Sequence, residues 1–272
     1  MRKSLSLALL SVALVATAAA AHAQGREEAR LLTSRQVIKE LRGSPDQFIP
    51  ARLLARAYGI AVVPNVTKAA FFFGASRGNG VLVVRNKYGR FSDQIFVNLT
   101  GGSFGFQWGI QSTVVVLVFT TQRSIDKITS GKITLGADAS VAAGPIGRQA
   151  TAATDPTISS EVYSYSRSRG LFLGVALKGS VISIDNGADA RFYDRGVADA
   201  ADIANGTITT RDDIARQFLA EIDVATGTTV PASASAEPAA PAYTPAGTTR
   251  SAAPGTQAFP LADPHPGAPP GN

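Results

Sequence analysis

The chain of 272 residues contains no cysteine, two histidines, one tryptophan and one methionine. The absence of cysteine excludes disulfides, thiolate metal ligands, a cysteine nucleophile and an N-terminal lipidated cysteine. One histidine, His22, lies in a segment that we expect to be cleaved, and the other, His265, lies in the C-terminal tail. A folded part without histidine excludes Ser-His-Asp triads, histidine metal sites and histidine general bases.

Carboxylate-dependent hydrolysis is the enzymatic alternative that remains. Most of the aspartates concerned lie in or beside turn-like segments rich in glycine and asparagine, where aspartate commonly has a structural role. They are Asp126, Asp138, Asp155, Asp185, Asp189 and Asp194. We therefore predict a protein that is not an enzyme and that has no cofactor and no metal.

The first 23 residues have the features of an export signal. Arg2 and Lys3 supply the positive start, an apolar stretch covers residues 5–21, and Ala-His-Ala at residues 21–23 is a small-x-small cleavage site. No later apolar run approaches the roughly 20 residues that span a bilayer. Because there is also no cysteine to carry a lipid, the sequence predicts a periplasmic or secreted protein that is not a lipoprotein.

The rest of the chain divides into a globular part and a tail. Residues 24–229 have the composition of one domain with a sizeable core. Residues 230–272 are rich in Pro, Ala, Gly, Ser and Thr and carry few charges, so we predict a disordered tail. Without the signal the net charge is +4, which suits an anionic membrane surface and simple solubility alike.

Two helices are predicted before the first strand. A capping-box pattern starts the first helix at Thr33, and Gly43 ends it. The second starts at Pro50 and ends at Gly59. The first helix carries a basic stripe beside an apolar one, which is typical of membrane-surface helices and also common on ordinary surface helices. The basic stripe is Arg35, Lys39 and Arg42, and the apolar stripe is Val37, Ile38 and Leu41.

Ten short segments rich in β-branched or aromatic residues are predicted strands. They are residues 60–63, 70–73, 81–85, 95–99, 103–110, 114–119, 133–141, 162–166, 171–177 and 181–184. Helices are expected at Gln122–Thr129, over residues 197–204 and from residues 210–213 onwards. Because the strands follow one another closely, the predicted fold is α+β: a strongly curved, barrel-like, mainly antiparallel sheet with N-terminal and C-terminal helices packed on it.

The glycine-rich segment GGSFGFQWG, residues 101–109, alternates small and bulky side chains. A phosphate-binding loop would lead into a helix, but another apolar strand over residues 114–119 follows here. We therefore predict a strand over residues 103–110, with one face almost bare of side chains. Bare glycine faces favour strong sheet curvature or close approach of another layer.

The chain resembles the SYLF family over nearly all of its predicted folded part. The resemblance rests on GIAVVP (59–64), KAAF (68–71), GNGVL (78–82), GGSFGFQWG (101–109), LGADASVAAGPIGR (135–148), YSYS (163–166) and GLFLGV (170–175). It implies a lipid-binding module. Eukaryotic members associate with phosphoinositide membranes, some also with actin, and bacterial members are exported proteins. By position, the basic stripe of the first helix corresponds to the amphipathic segment of the family.

The leading hypothesis is a non-enzymatic module that binds anionic phospholipid, or another amphiphile, at a membrane surface. The alternative is a structural envelope or protein-interaction module tethered by its Pro/Ala-rich tail. Nucleic acid is not an expected partner. The candidate lipid-binding residues are Arg35, Lys39, Arg42, Arg52, Arg56, Lys68 and Arg77.

Overall fold

The computed structural model describes residues 25–41, 49–70, 73–104, 109–145, 160–168 and 171–228. Its strands are β1 (Gly59–Ala70), β2 (Phe73–Val84), β3 (Ile95–Phe104), β4 (Gly109–Phe119), β5 (Lys132–Thr134), β6 (Val141–Ala143), β7 (Val162–Ser168), β8 (Leu171–Gly174) and β9 (Val181–Ile184). Its helices are α1 (residues 25–41), α2 (Ala51–Ala55), α3 (Gln122–Thr129), α4 (Asn186–Phe192), α5 (Ala200–Asn205) and α6 (Asp213–Thr226).

The described strands form one sheet in the order β5-β9-β3-β2-β1-β4-β7-β6, with β8 added to β7. All pairs are antiparallel except β6 with β7, which run parallel. The sheet curls into a half-barrel, and its register shifts near Val63–Asn65 of β1, where a bulge increases the local twist. The predicted fold class is confirmed.

Both faces of the central sheet are buried. Ile60 and Val62 of β1 contribute to a core cluster that also contains residues of α1, α2, α4 and α6. Ala61 and Val63 face the opposite cluster, which is completed by α3 and α5. Burial on both sides explains why the strands are continuous apolar runs and do not alternate between apolar and polar residues.

The first helix is longer than predicted and packs on the core. Thr33 lies inside α1, where its hydroxyl donates a hydrogen bond to the Ala29 carbonyl (2.8 Å), so the predicted N-cap is wrong. The good helix formers between Arg26 and Leu32 extend the helix backwards. The apolar stripe Val37, Ile38 and Leu41 is at most 3% exposed. The predicted end at Gly43 lies outside the described residues.

The second helix is shorter than predicted. Pro50 is the N-cap of α2, and the helix ends at Ala55. The Tyr58 amide already donates to the Phe119 carbonyl of β4 (2.8 Å), because the chain joins the sheet there. The backbone therefore leaves the helix before Gly59.

The glycine-rich segment is not one strand. The chain leaves β3 at Phe104 and joins β4 at Gly109, and β2 and β1 lie between these two strands in the sheet. The predicted single strand over residues 103–110 is therefore wrong, and residues 105–108 lie outside the described residues. Alternation of bulky and small residues does not distinguish one strand from the ends of two.

Three further predicted strands differ from the observed ones: two are shorter than predicted, and the third covers parts of two strands. Residues 133–141 are interrupted by a turn in which Gly136 has φ of 84° and the Asp138 carboxylate accepts the Thr134 amide (2.8 Å). Residues 171–177 form a strand only as far as Gly174. Residues 70–73 span the end of β1 and the start of β2, with 71–72 outside the described residues.

Three elements of the C-terminal part agree with the sequence pattern, and one was not predicted. Strand β9 and helix α3 have the predicted bounds, and α6 buries Phe218 and Ile222 of its apolar stripe completely. Helix α4 was not predicted; its N-cap is Asp185. None of the helices described is long and apolar enough to cross a bilayer. The predicted signal (1–23) and tail (230–272) fall outside the described residues.

Truncation of Phe218 tests the packing of α6. Phe218 is fully buried, so Phe218→Ala should lower the free energy of unfolding by about 3–5 kcal/mol. Val224 on the same helix is 57% exposed, and Val224→Ala should change it by less than about 0.5 kcal/mol. Chemical denaturation of both variants provides the comparison. Equal effects would contradict the placement of α6.

Candidate functional site

The basic stripe of α1 is partly used inside the molecule. Arg35 donates from Nη1 to Oε1 of Gln217 (2.6 Å), and its Nε lies 3.9 Å from Oε1 of Glu221 on α6. Lys39 is exposed and has no acidic partner among the described residues. Arg42 lies outside the described residues. Of the three predicted cations on this helix, the structure thus presents Lys39 to solvent and holds Arg35 against α6.

Ion pairs connect α1 to α4, α6 and β7 along its length. They are Glu27–Arg191 (2.7 Å), Arg30–Asp185 (3.4 Å), Arg35–Glu221 (3.9 Å) and Glu40–Arg167. Three of the pairs are partly exposed, and such pairs contribute only about 0–1 kcal/mol each. In the fourth pair Glu27 is 1% exposed, so the cost of removing its carboxylate from water offsets much of its attraction to Arg191. The helix is therefore held mainly by its buried apolar stripe, and the ion pairs fix its orientation across the sheet.

The remaining predicted cations do not form one patch. Arg52 and Arg56 are exposed one turn apart on α2. Arg77 is exposed on β2, eight residues before Arg85, which is about 26 Å along an extended strand. The backbone of Lys68 pairs with Ser76 and Gln111 within the sheet, at the same distant half of the strands.

Arg85 joins α2 to the turn between β2 and β3. Its Nε donates to the Ala57 carbonyl (2.9 Å), its Nη2 to the Ala55 carbonyl (3.4 Å) and its Nη1 to the Gly89 carbonyl (2.9 Å). The guanidinium also lies 4.5 Å from the ring centroid of Phe91. One side chain thus fixes the end of α2 beside the turn, and burial lowers its pKa while Asp223 acts in the opposite direction.

The turn itself presents an aromatic side chain between cations. The Asn86 carboxamide oxygen accepts the amides of Tyr88 (2.9 Å) and Arg90 (3.1 Å), and Gly89 takes the positive φ (78°) that the turn needs. Tyr88 is consequently 76% exposed, and the Lys87 ammonium lies 5.1 Å from its ring centroid. The Tyr88 ring therefore does not pack on the core, and it can contact another molecule or a membrane surface.

These groups lie around the junction of α2 and the turn, and we call them the basic end. It consists of Arg52, Arg56, Tyr58, Lys87, Tyr88 and Arg90. Burial raises the pKa of nearby Asp223, and Arg90 and Arg85 oppose that rise, so Asp223 offsets part of the positive charge. Sequence reasoning found Arg52 and Arg56 but missed the other members, although Asn-Lys-Tyr-Gly-Arg between two apolar runs is a readable turn signal.

The profile of a family described as "Ysc84: Las17-binding protein actin regulator" matches residues 100–240. The chain belongs to this family. The resemblance to the SYLF family is thereby confirmed, and the description names a regulatory function.

The Ysc84-family relatives are longer proteins. "LAS seventeen-binding protein 3" of Saccharomyces cerevisiae is 37% identical over 171 residues, which is 62% of this chain and 37% of the yeast protein. "SH3 domain-containing YSC84-like protein 1" of Xenopus laevis is 33% identical over 186 residues, which is 68% of this chain and 55% of that protein. The human protein of the same name is 35% identical over 153 residues, 56% of this chain and 44% of the relative. The chain thus spans between a third and somewhat over half of their lengths.

The aspartates of this Ysc84-family chain serve the fold where the structure describes them. Asp138 accepts a turn amide, Asp185 caps α4, and Asp126 accepts a hydrogen bond from Gln122 (2.9 Å). Asp194 has a positive φ of 50° in the turn after α4, and Asp155 lies outside the described residues. Among the described residues, no group of three acidic or histidine side chains is placed to hold a metal.

Asp189 is the most perturbed carboxyl group of the described chain. It is fully buried between α4 and β3, where Oδ1 accepts the Phe96 amide (2.8 Å) and Oδ2 has no partner in the described protein. Burial, reinforced by the charge of Asp185, raises its pKa to about 8, although the Phe96 amide and Arg30 act in the opposite direction. The group is therefore protonated near neutral pH and positions α4 on the sheet.

The protonation of Asp189 predicts a pH dependence of stability. Between its ordinary pKa of 3.8 and about 8, the unfolded chain loses the proton that the folded chain keeps. The free energy of unfolding should therefore fall as pH rises through this window, by up to about 1.4 kcal/mol per pH unit from this group. Asp189→Asn should remove this contribution.

The measurement is chemical denaturation of wild type and Asp189→Asn from acidic to mildly alkaline pH. Subtracting the free energy of unfolding of wild type from that of Asp189→Asn cancels the titration of other groups. This difference should become more positive as pH rises. A difference that is independent of pH would contradict the placement of Asp189.

Proposed function

We propose that this protein is a non-enzymatic module that binds anionic phospholipid at a membrane surface through its basic end. The observation that supports the proposal is the exposed Tyr88, which directly follows Lys87 and lies two residues before Arg90. Its turn is joined through Arg85 to the segment that carries Arg52 and Arg56. An aromatic side chain surrounded by cations matches the chemistry of a lipid head-group layer.

The expected affinity is low, as suits reversible surface binding. Each cation near an anionic leaflet contributes about 1 kcal/mol. The four cations of the basic end therefore contribute about 4 kcal/mol, which corresponds to a dissociation constant of about 1 mM. Apolar contact by Tyr88 and Tyr58 raises the affinity, and the negative charge of Asp223 lowers it. Several copies on one vesicle, or a second contact elsewhere on the chain, would raise the apparent affinity.

This proposal moves the membrane contact away from α1. The resemblance assigned that contact to the amphipathic first helix, but the apolar stripe of α1 is buried in the core. Exposing Val37, Ile38 and Leu41 to a membrane would uncover the sheet face that they protect. In our proposal α1 remains packed and the basic end meets the lipid.

The predicted export signal determines the compartment in which we propose that the protein acts. We propose that the mature protein acts in the periplasm or outside the cell, where phospholipid surfaces and other amphiphiles are its candidate ligands. Intracellular actin is not the partner that we propose, although the family description names actin regulation.

Binding of a protein is the second candidate function. It is supported by the family description and by the name of the yeast relative, both of which name binding of LAS seventeen. In this version the domain is an interaction or structural envelope module, and residues 230–272 act as a tether. Deleting that tail should then abolish partner capture or localisation and leave vesicle binding unchanged.

Vesicle co-sedimentation tests the lipid proposal. The double variant Arg56→Ala/Lys87→Ala loses two cations of the basic end, so its affinity for phosphatidylglycerol-containing vesicles should fall about 30-fold, as about 2 kcal/mol requires. Tyr88→Ala should also weaken binding. Added salt should reduce binding by wild type, and phosphatidylcholine vesicles should bind little protein.

The matched control is Lys39→Ala/Arg77→Ala, which removes one lysine and one arginine that are exposed elsewhere. This variant should bind within about twofold of wild type, since its cations lie outside the head-group layer. Equal losses in the two double variants would show that net charge alone drives binding and would overturn the assignment to the basic end. Absence of wild-type binding to anionic vesicles would overturn the lipid proposal itself.

A further inference from the structure

A groove of about 620 Å³ lies beside the basic end, between the β2–β3 turn, α3 and α5. This volume falls within the range of small-molecule sites, roughly 300–1,000 Å³. Its wall includes Tyr58 and Asn86 near the turn, Asp126 and Ile125 on α3, and Ala204 and Asn205 on α5. The groove and Tyr88 are distinct features, because Tyr88 is not part of its wall.

The charge of the groove does not favour an anionic ligand. Arg85 reaches the wall, but its guanidinium already donates to three backbone carbonyls and to the Thr228 hydroxyl. Lys87 and Asp126 carry opposite charges in the same wall. The groove therefore carries a net charge of +1, and because the donors of Arg85 are used within the protein, Lys87 and Asp126 are the charged groups that remain to meet a ligand.

Its polar groups are planar amides and a carboxylate with unused hydrogen-bonding capacity. Asp126 accepts from Gln122 through Oδ1 only, which leaves Oδ2 as an acceptor. Asn86 uses its oxygen for the turn and keeps its amide nitrogen as a donor. Asn205 is exposed, and its side chain makes no hydrogen bond with the described protein, so it offers both a donor and an acceptor.

The apolar part of the wall complements these groups. Val84 and Ile125 border the groove but are only 3% and 2% exposed, so its main apolar groups are Ala204 and the ring of the 41%-exposed Tyr58. A ligand for such a wall needs one apolar face and several hydroxyl groups at its edge, and it needs no net charge. A pyranose ring has these properties, since its C–H face packs on aromatic rings and its hydroxyls donate and accept hydrogen bonds.

We propose that this groove binds a saccharide, with a sugar ring against Tyr58 and its hydroxyls bonded to Asn86, Asp126 and Asn205. The sugar is either free in solution or the head group of a glycolipid. This binding site does not depend on recognition of anionic phospholipid by the basic end.

Saturation-transfer NMR on the full chain tests the proposal, with glucose, galactose and N-acetylglucosamine as probes. Wild type should transfer saturation to the ring C–H protons of at least one of these sugars. Asn205→Ala removes polar contacts and should weaken binding about tenfold, the equivalent of about 1.4 kcal/mol. Tyr58→Ala should abolish the signal, whereas Tyr58→Phe should retain it because the ring remains.

Two controls separate this site from the proposed lipid surface. Tyr88→Ala should keep the sugar signal while losing affinity for anionic vesicles, and Asn205→Ala should do the reverse. Neutral phosphatidylcholine vesicles with and without galactosylceramide identify the source of the sugar: retention only by the glycolipid vesicles indicates a head group, and binding of free sugar alone indicates a soluble saccharide.

The absence of transfer to all three sugars, together with no retention by the galactosylceramide vesicles, overturns the proposal. A sugar signal that survives both Tyr58→Ala and Asn205→Ala overturns it as well, because it would arise elsewhere on the chain. Thermal unfolding of each variant establishes that it is folded. If Tyr58→Ala is not folded, the surface substitutions Asn205→Ala and Asp126→Ala decide the outcome.

Discussion

Burial of the central strands on both faces is the constraint on which the rest of the structure depends. Residues such as Ile60 and Val62 are fully buried on one side of β1, and Ala61 and Val63 are fully buried on the other. A sheet of this kind needs a layer of helices on each face. On one face α1, α2, α4 and α6 provide that layer, and on the other α3 and α5 do. The apolar stripe of α1 is therefore part of the core, and its loss from the sheet would expose apolar strand surface to water.

This constraint decides which surfaces are available for binding. The first helix, which resembles an amphipathic membrane segment in sequence, uses its apolar side for the core and Arg35 for contacts with α6. Among the described residues, the junction of α2 and the β2–β3 turn presents an exposed surface that carries both cations and Tyr88. Arg85 stabilises this junction by donating to carbonyls of both segments. The groove beside it, lined by amides and a carboxylate, and the charged turn at Tyr88 give the same end of the sheet two surfaces of different chemistry.

Local patterns predicted much of the fold but little of the site. The strand β9 and the helix α3 could be predicted because each is a short periodic run with clear end signals, such as Thr121 before α3. The start of α1 could not, because Thr33 and Gln36 fit a cap pattern that also occurs inside helices. The interruption near Gly136 depends on a short turn, in which Asp138 accepts the Thr134 amide, between two runs that are apolar enough to be read as one strand. The site depends on pairing between distant segments: Gly59 lies opposite Val84 in the sheet, and this register together with the hydrogen bonds of Arg85 brings the end of α2 beside the turn. No local pattern encodes that proximity.

The central claim is that α1 stays packed on the sheet while the turn at Tyr88 meets the membrane. Because the chain contains no cysteine, a single introduced cysteine can be labelled without first removing a native one. An environment-sensitive fluorophore on Tyr88→Cys, compared with the same label on Lys39→Cys and Arg77→Cys, reports which position enters the lipid of anionic vesicles carrying a lipid-bound quencher. The account predicts a blue shift and quenching at position 88, with labels 39 and 77 remaining in water. Immersion of label 39 while label 88 remains in water would contradict it.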